Sequence, residues 1–454
     1  MKKKDANLWF SALLFLNLIH PSSFGYNQAM KSRLHLNVVL LPILVAILIL
    51  VQLTYPAKPW AMLLVGLGGA WLVSSLWARA LARNLSLTRE MRYDWAQVGD
   101  RLEERFTVIN NSFFPATWLE VDDHSNIPGY QPTRATNVGG DSMNQWITDG
   151  VCTRRGLYTL GGTTILTGDP LGIYTVSIHD PASKMLLVLP PVMALPPITV
   201  SPGGYGEAGR MRPRAPQKTV GAAGVREYQP GDSLRLIHWP SSAKHDKPFV
   251  RLFDGMPASD MWILLDLDRS VQIGEDWNST EEHGVILAAS LADRSLRTRQ
   301  GVGLAINGKE LTWIVPQENA NQRWLIFRAL ALAQRGELEL GLLLERMGAS
   351  FGRQTSLVII TASLRPNWSE ALMPLTRRGI APTVLLLDSK SFGGEQDSAA
   401  TEAIFQNAGI ACHVITQDLL NRPEAHPGHQ GQWEWRANRV AAHKPGNENW
   451  RSLS

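Results

Sequence analysis

One stretch of this 454-residue chain concentrates groups able to do chemistry. Residues 226–254, REYQPGDSLRLIHWPSSAKHDKPFVRLFD, set Arg226, Arg235, Lys244 and Arg251 among Glu227, Asp232 and Asp254, around one Pro-Gly-Asp turn. Three kinds of site would use them. In a catalytic site His238 or His245 would be the general base and Asp232 or Asp246 its orienter; Ser241 and Ser242, however, lack the strand-turn-helix setting that exposes a nucleophilic hydroxyl. A nucleic-acid patch would need more than the mild net charge of +4. In a rigid polar joint Gly231 takes positive φ after Pro230, and Asp232 caps the next turn or pairs with Arg235. The cations and acids then form a charge-assisted network, with Tyr228 beside it and Trp239 closing its apolar side. The joint is favoured, because such networks fix an arrangement of domains.

A second constellation lies at 266–270, where DLDRS places Asp266, Asp268 and Ser270 at alternate positions. Carboxylate and hydroxyl oxygens so spaced suit a hard cation such as Mg2+. The pattern resembles the DxSxS adhesion motif of von Willebrand factor A domains, with aspartate in place of the first serine. That resemblance implies a threonine and an aspartate from later loops. The run LVIIT followed by ASL supplies Thr361 and Ser363 but no aspartate, so Asp266, Asp268, Ser270 and Thr361 form a degenerate site expected to hold Mg2+ weakly at best. Nothing matches a P-loop or a dinucleotide fingerprint. Cys152 and Cys412 have neither metal-ligand spacing nor a disulfide framework around them and are expected to be reduced, buried thiols.

The elements that position these groups follow from patterning. Residues 34–53 and 60–78 carry no charged side chain and approach the roughly 20 residues of a bilayer-crossing helix. Only TYPAKP separates them, so they read as a transmembrane hairpin over 34–80. Lys31 and Arg33 before the first run, and Arg79, Arg83, Arg89 and Arg92 after the second, place both ends in the cytoplasm. Residues 1–33 combine a basic start with a short apolar run like that of a signal peptide, and Met30 reads as an alternative start. Residues 95–200 read as short strands broken by Gly-Gly and Gly-Asp-Pro, a small antiparallel sandwich in which Asp169 shapes a turn. Residues 201–258 hold a Gly/Pro/Arg-rich linker, whose basic residues sit near a membrane surface, and then the polar segment. From 259 to 418 apolar strands alternate with helices, as in a doubly wound α/β domain whose ligands sit beyond the strand C-termini. The polar tail, 419–454, reads as disordered.

Together with RRGLYTLGGTTILTGDPLGIY upstream, the 226–254 segment closely resembles the signature of domain-of-unknown-function family 58, over residues from about 34 to about 418. The resemblance implies two N-terminal membrane helices, a β-rich segment and a von Willebrand A-like domain. It implies further an association with MoxR-type AAA+ ATPases and a role in the assembly of other proteins. With both hairpin ends inside and no convincing nucleophile, the chain is expected to be a bacterial inner-membrane adaptor with cytoplasmic soluble domains, engaging such an ATPase or envelope proteins and catalysing no reaction. The alternative is a cell-envelope hydrolase using the 226–254 cluster.

Overall fold

The computed structural model describes residues 31–195, 198–201, 222–228, 239–245, 247–253, 260–348, 350–352, 355–365, 367–419 and 451–452. The chain opens with a strand, β1 (Lys31–Leu36), followed by helices α1 (Leu40–Thr54) and α2 (Lys58–Asn84). The first apolar run therefore does not begin a helix at residue 34. Residues 31–36 pair antiparallel with residues 174–179, and the helix starts at Leu40. At 1.5 Å per residue α1 is about 22 Å long and α2 about 40 Å. Of the two, α2 is long and apolar enough to cross a membrane, and α1 is a shorter apolar helix. Their outward residues, among them Leu40, Leu50, Leu53, Met62 and Val65, are exposed. The last turns of α2 are different: Ala78 and Leu81 are fully buried between the sheets that follow.

Those sheets are built from β2 (Leu85–Met91), β3 (Trp95–Gln97), β4 (Arg101–Asn110), β5 (Ala116–Asp123), β6 (Arg134–Val138), β7 (Ser142–Val151), β8 (Gly156–Gly168) and β9 (Tyr174–Leu189). One has the order β1-β9-β8-β5-β6, with β3 also on β9; the other has β2-β4-β7, with Arg451–Ser452 added to β2. Alternation explains the layering: Leu102, Phe106 and Val108 of β4 point inward, and intervening Glu103, Arg105 and Thr107 face outward. Gly161-Gly162 does not break β8, as the sequence suggests. It forms a bulge in which Gly161, at φ 109°, lies so close to β9 that a Cβ would meet the Ala182 carbonyl oxygen at 2.4 Å. The sandwich thus draws on residues before 95 as well.

Arg89 sits at an inward position of β2 and is 3% exposed. It pairs with Glu104 and Asp123, and Tyr130 donates its hydroxyl to the same Glu104. Arg89 is therefore a core group and not one of the charges that orient the hairpin.

Within the segment read as linker, β10 (Ala222–Glu227) and β11 (Phe249–Phe253) pair antiparallel around α3 (Trp239–His245). The α/β module then runs β12 (Met261–Leu265), α4 (Thr280–Arg297), β13 (Val302–Asn307), β14 (Leu311–Gln317), α5 (Ala320–Leu332), α6 (Leu340–Met347), β15 (Ser356–Thr361), α7 (Asn367–Arg377), β16 (Ala381–Leu387), α8 (Ala399–Asn407) and β17 (Ala411–Ile415). The strand order is β14-β13-β12-β15-β16-β17, parallel except for β14 at the edge. Met261, Ile263 and Leu265 pack under α4 and α5, while Trp262 and Leu264 pack under α6, α7 and α8. Burial of both faces is why these strands read as continuous apolar runs. Ser279 caps α4 by accepting the Glu282 N–H, and Arg294 and Arg297 lie in its last turn.

Sandwich and α/β module are locked together. Arg155, in the turn between β7 and β8, pairs with Glu281 (3.0 Å) and Glu282 at the start of α4 and donates to the carbonyls of Leu330 (3.0 Å) and Ala333 (2.9 Å) at the C-terminal end of α5. Burial pulls the proton affinity of its guanidinium down, and Glu281 opposes that pull. Nearby, Leu187, Leu189, Met193 and Ile198 continue the core of the α/β module.

Candidate functional site

In the α/β sheet the chain leaves β12 first towards β13 and returns on the other side as β15, so the crevice at their C-terminal ends is a topological switch point. The structure brings the expected oxygen groups to this place. Asp266 follows β12 directly and is 2% exposed. Its Oδ2 accepts the Thr361 hydroxyl at 2.6 Å, from the end of β15. Its Oδ1 accepts Asn307 Nδ2 at 2.6 Å and the Asp268 N–H at 3.1 Å. Asp268, also buried, accepts the N–H (3.0 Å) and the hydroxyl (2.9 Å) of Ser270, which is exposed at the mouth. Burial pushes the Asp266 carboxyl up, against the opposing effect of Thr361, Asn307 and the Asp268 amide.

Asn307 was not legible as part of this set, although it ends the second parallel strand as Thr361 ends the fourth element of the sheet path. Its Oδ1 accepts the Leu267 N–H (2.6 Å) and its Nδ2 also reaches the Leu338 carbonyl (2.8 Å), so one amide ties three loops together. Gln272 Nε2 donates to the Asp266 carbonyl (2.8 Å), and Asp268 bridges to Gly336. The adjacent Arg335 pairs with Glu281 at 2.6 Å, the same carboxylate that Arg155 holds. The crevice and the contact between the two modules therefore share residues 335–336 and 281.

The donor set is oxygen only and carries two carboxylates, the chemistry a hard cation takes. Among the described residues no cationic side chain forms an ion pair with Asp266 or Asp268, and no group of three or more His, Cys, Asp or Glu is arranged to hold a metal. Every Asp266 oxygen already accepts from a neutral donor. The fit to Mg2+ is thus partial, with Asp268 and Ser270 at the open side and Asp266 and Thr361 behind them.

The polar segment is described in part. Strand pairing sets Arg226 opposite Val250 and Val225 opposite Arg251, and the Tyr228 N–H donates to the Pro248 carbonyl at 2.8 Å. Gly231, Asp232, Arg235, His238, Asp246 and Asp254 lie outside the described residues. Trp239 is 71% exposed and so does not close the apolar side of a network, and Lys244 is exposed as well. Ser242 Oγ accepts the Phe249 N–H at 2.8 Å, which ties α3 to β11. Cys152 is buried and Cys412 half-buried, both as free thiols.

Residues 224–391 match a family model described as "Protein of unknown function DUF58". The uncharacterized protein YeaD of Bacillus subtilis is 24% identical over 323 residues, covering 65% of this chain and 75% of YeaD. Uncharacterized protein Rv1480 of Mycobacterium tuberculosis is 23% identical over 171 residues, 36% of this chain; the match spans about half (54%) of that relative. Among solved structures, the CARDB domain of the PF1109 protein from Pyrococcus furiosus aligns at 16% identity over 23% of this chain and 94% of that chain, with a TM-score of 0.18.

Proposed function

Through residues 224–391 the chain belongs to the DUF58 family of proteins of unknown function, and from that membership we propose that it is a membrane-anchored, von Willebrand A-like adaptor. On this reading α1 and α2 cross the bacterial inner membrane as a hairpin, both soluble modules stand in the cytoplasm, and the switch-point crevice is offered to a MoxR-type AAA+ ATPase or to envelope proteins being assembled. The observation that carries it is the convergence of Asp266, Asp268, Ser270, Thr361 and Asn307 at the crevice where a doubly wound sheet takes its ligands.

Binding is favoured over turnover because Asp266, Asp268 and Thr361 are all buried, out of a substrate's reach. Of the two hydroxyls, that of Thr361 is fully buried against Asp266, and that of Ser270 is given to Asp268, which keeps lone pairs for a cation. A hard cation, held by Asp268 and Ser270, would supply a positive centre for an acidic side chain of the partner. Co-purification from crosslinked membranes, with the ATPase held in its nucleotide-bound state, tests the proposal. Recovery of an AAA+ ATPase, weakened by Asp268→Ala, is expected; recovery of none under those conditions refutes the adaptor role.

A further inference from the structure

Strand directions place four chain segments at one end of the sandwich. β2 begins where α2 ends, and antiparallel pairing then brings the β4–β5 turn (residues 111–115), the β6–β7 turn (139–141), the β8–β9 turn (169–173) and the exit of β1 into α1 to that same end. Arg155 and the α/β module lie at the other. The hairpin end carries apolar side chains that face solvent: Phe113 is 83% exposed and Leu171 62%, beside Val39 and Leu40 at the start of α1.

These side chains are not exposed by looseness, for both turns are braced from within. Buried Asn110 donates to the carbonyls of Phe114 (2.9 Å) and Gly139 (2.7 Å) and accepts the N–H and hydroxyl of Ser112. Gly140 fits so tightly that a Cβ would meet the Phe113 carbonyl oxygen at 2.2 Å. In the other turn buried Asp169 accepts the N–H groups of Leu171 (3.0 Å) and Tyr174 (2.5 Å). Each turn is also fastened to the hairpin. Trp77 donates to the Pro115 carbonyl and packs at a tilt against Phe114 with ring centroids 4.7 Å apart, Trp71 donates to the Tyr174 hydroxyl, and Asn37 donates to the carbonyls of Gly172 and Ile173.

We propose that the 111–115 and 169–173 turns rest on the bilayer, with Phe113 and Leu171 inserted into its interface. The proposal rests on the reading of α1 and α2 as the membrane anchor. Trp60 and Trp77 are about 26 Å apart along α2, close to the roughly 30 Å of a hydrocarbon core whose two edges favour tryptophan. With one edge at Trp77, the exposed Arg79 and Arg83 fall among headgroups, where anionic lipid attracts them. Leu171, tied near Trp71, then reaches deeper than Phe113, tied near Trp77. The sandwich is thereby seated on lipid and not swung on a tether, and it stands between the surface and the α/β module.

The test uses the full chain with Cys412→Ser, carrying an NBD fluorophore at Phe113→Cys, Leu171→Cys, Leu50→Cys on α1 or Lys309→Cys on the α/β module, in phosphatidylcholine and phosphatidylglycerol vesicles. The expected result is a several-fold loss of iodide quenching at 113 and 171 relative to 309, with quenching instead by doxyl-labelled lipid. Iodide access at 113 and 171 with Leu50→Cys protected overturns the seating and leaves the anchor standing. Iodide access at position 50 as well overturns both. Protection from iodide without quenching by lipid means protein covers the turns, and this also overturns the proposal.

Discussion

Thr361 Oγ1 donates to Asp266 Oδ2 at 2.6 Å across two neighbouring parallel strands, and the same oxygen accepts the Ser363 N–H at 2.9 Å. Both side chains are buried, so the pair is a fixed part of the sheet's C-terminal edge. Thr361→Val keeps the shape and removes the donor, which leaves a buried carboxylate oxygen short of a partner at a cost of about 1–3 kcal/mol. Urea unfolding checks this. Thr361→Ser is expected to retain most of the stability, and equal losses in the two variants would contradict the assignment.

Mg2+ affinity follows from the same geometry. Because Asp266 already accepts from Thr361, Asn307 and the Asp268 amide, a cation finds few unengaged lone pairs. Calorimetry is expected to give binding in the millimolar range or weaker. Tight binding that disappears in Asp266→Ala would contradict this.

Arg155 joins the sandwich to the α/β module with its side chain 5% exposed. Its guanidinium serves carboxylates and two carbonyls at once, a geometry that a lysine ammonium does not reproduce. Removing one member of a buried pair costs about 3–5 kcal/mol. Calorimetric unfolding of Arg155→Ala is expected to show separate transitions for the two modules, with Arg155→Lys intermediate. A single unshifted transition would remove Arg155 from this role.

Burial pushes the half-buried Cys412 thiol up to about 12, with Glu402 acting in the same direction. A raised folded-state value means the fold favours the neutral thiol. That contribution is complete below the ordinary thiol value of 9.0 and is lost as pH climbs through about 12. Alkylation by iodoacetamide is expected to be slow at pH 8 and still accelerating at pH 10. A rate that levels off near pH 9 would contradict the shift.

Much of the fold was legible because its period is strict. β4 and β5 are among the short strands expected over 95–200, and β4 alternates strictly because two sheets enclose one core. The α/β strands were equally plain, being apolar on both faces. The N-terminal edge was not, because Leu34 and Leu36 satisfy a membrane helix and a strand alike, and β1 finds its partner in β9, far along the chain. Gly161-Gly162 read as a break because a glycine pair in sequence does not distinguish a turn from a bulge. At the site, Asp266, Asp268, Ser270 and Thr361 followed from where parallel strands end. Asn307 obeys the same rule, but a single asparagine at the end of a strand belongs to no spaced motif. Arg155 had no local signal: its partners Glu281, Leu330 and Ala333 come together only through the packing of α4 and α5 on the sandwich.

Everything in the functional account depends on the hairpin holding the chain in the inner membrane with both modules on the cytoplasmic side. Labelling of Lys309→Cys with a membrane-impermeant maleimide, in intact spheroplasts and in inverted vesicles, measures this directly. Labelling in inverted vesicles alone is expected; labelling in intact spheroplasts would place the α/β module outside and contradict the cytoplasmic placement.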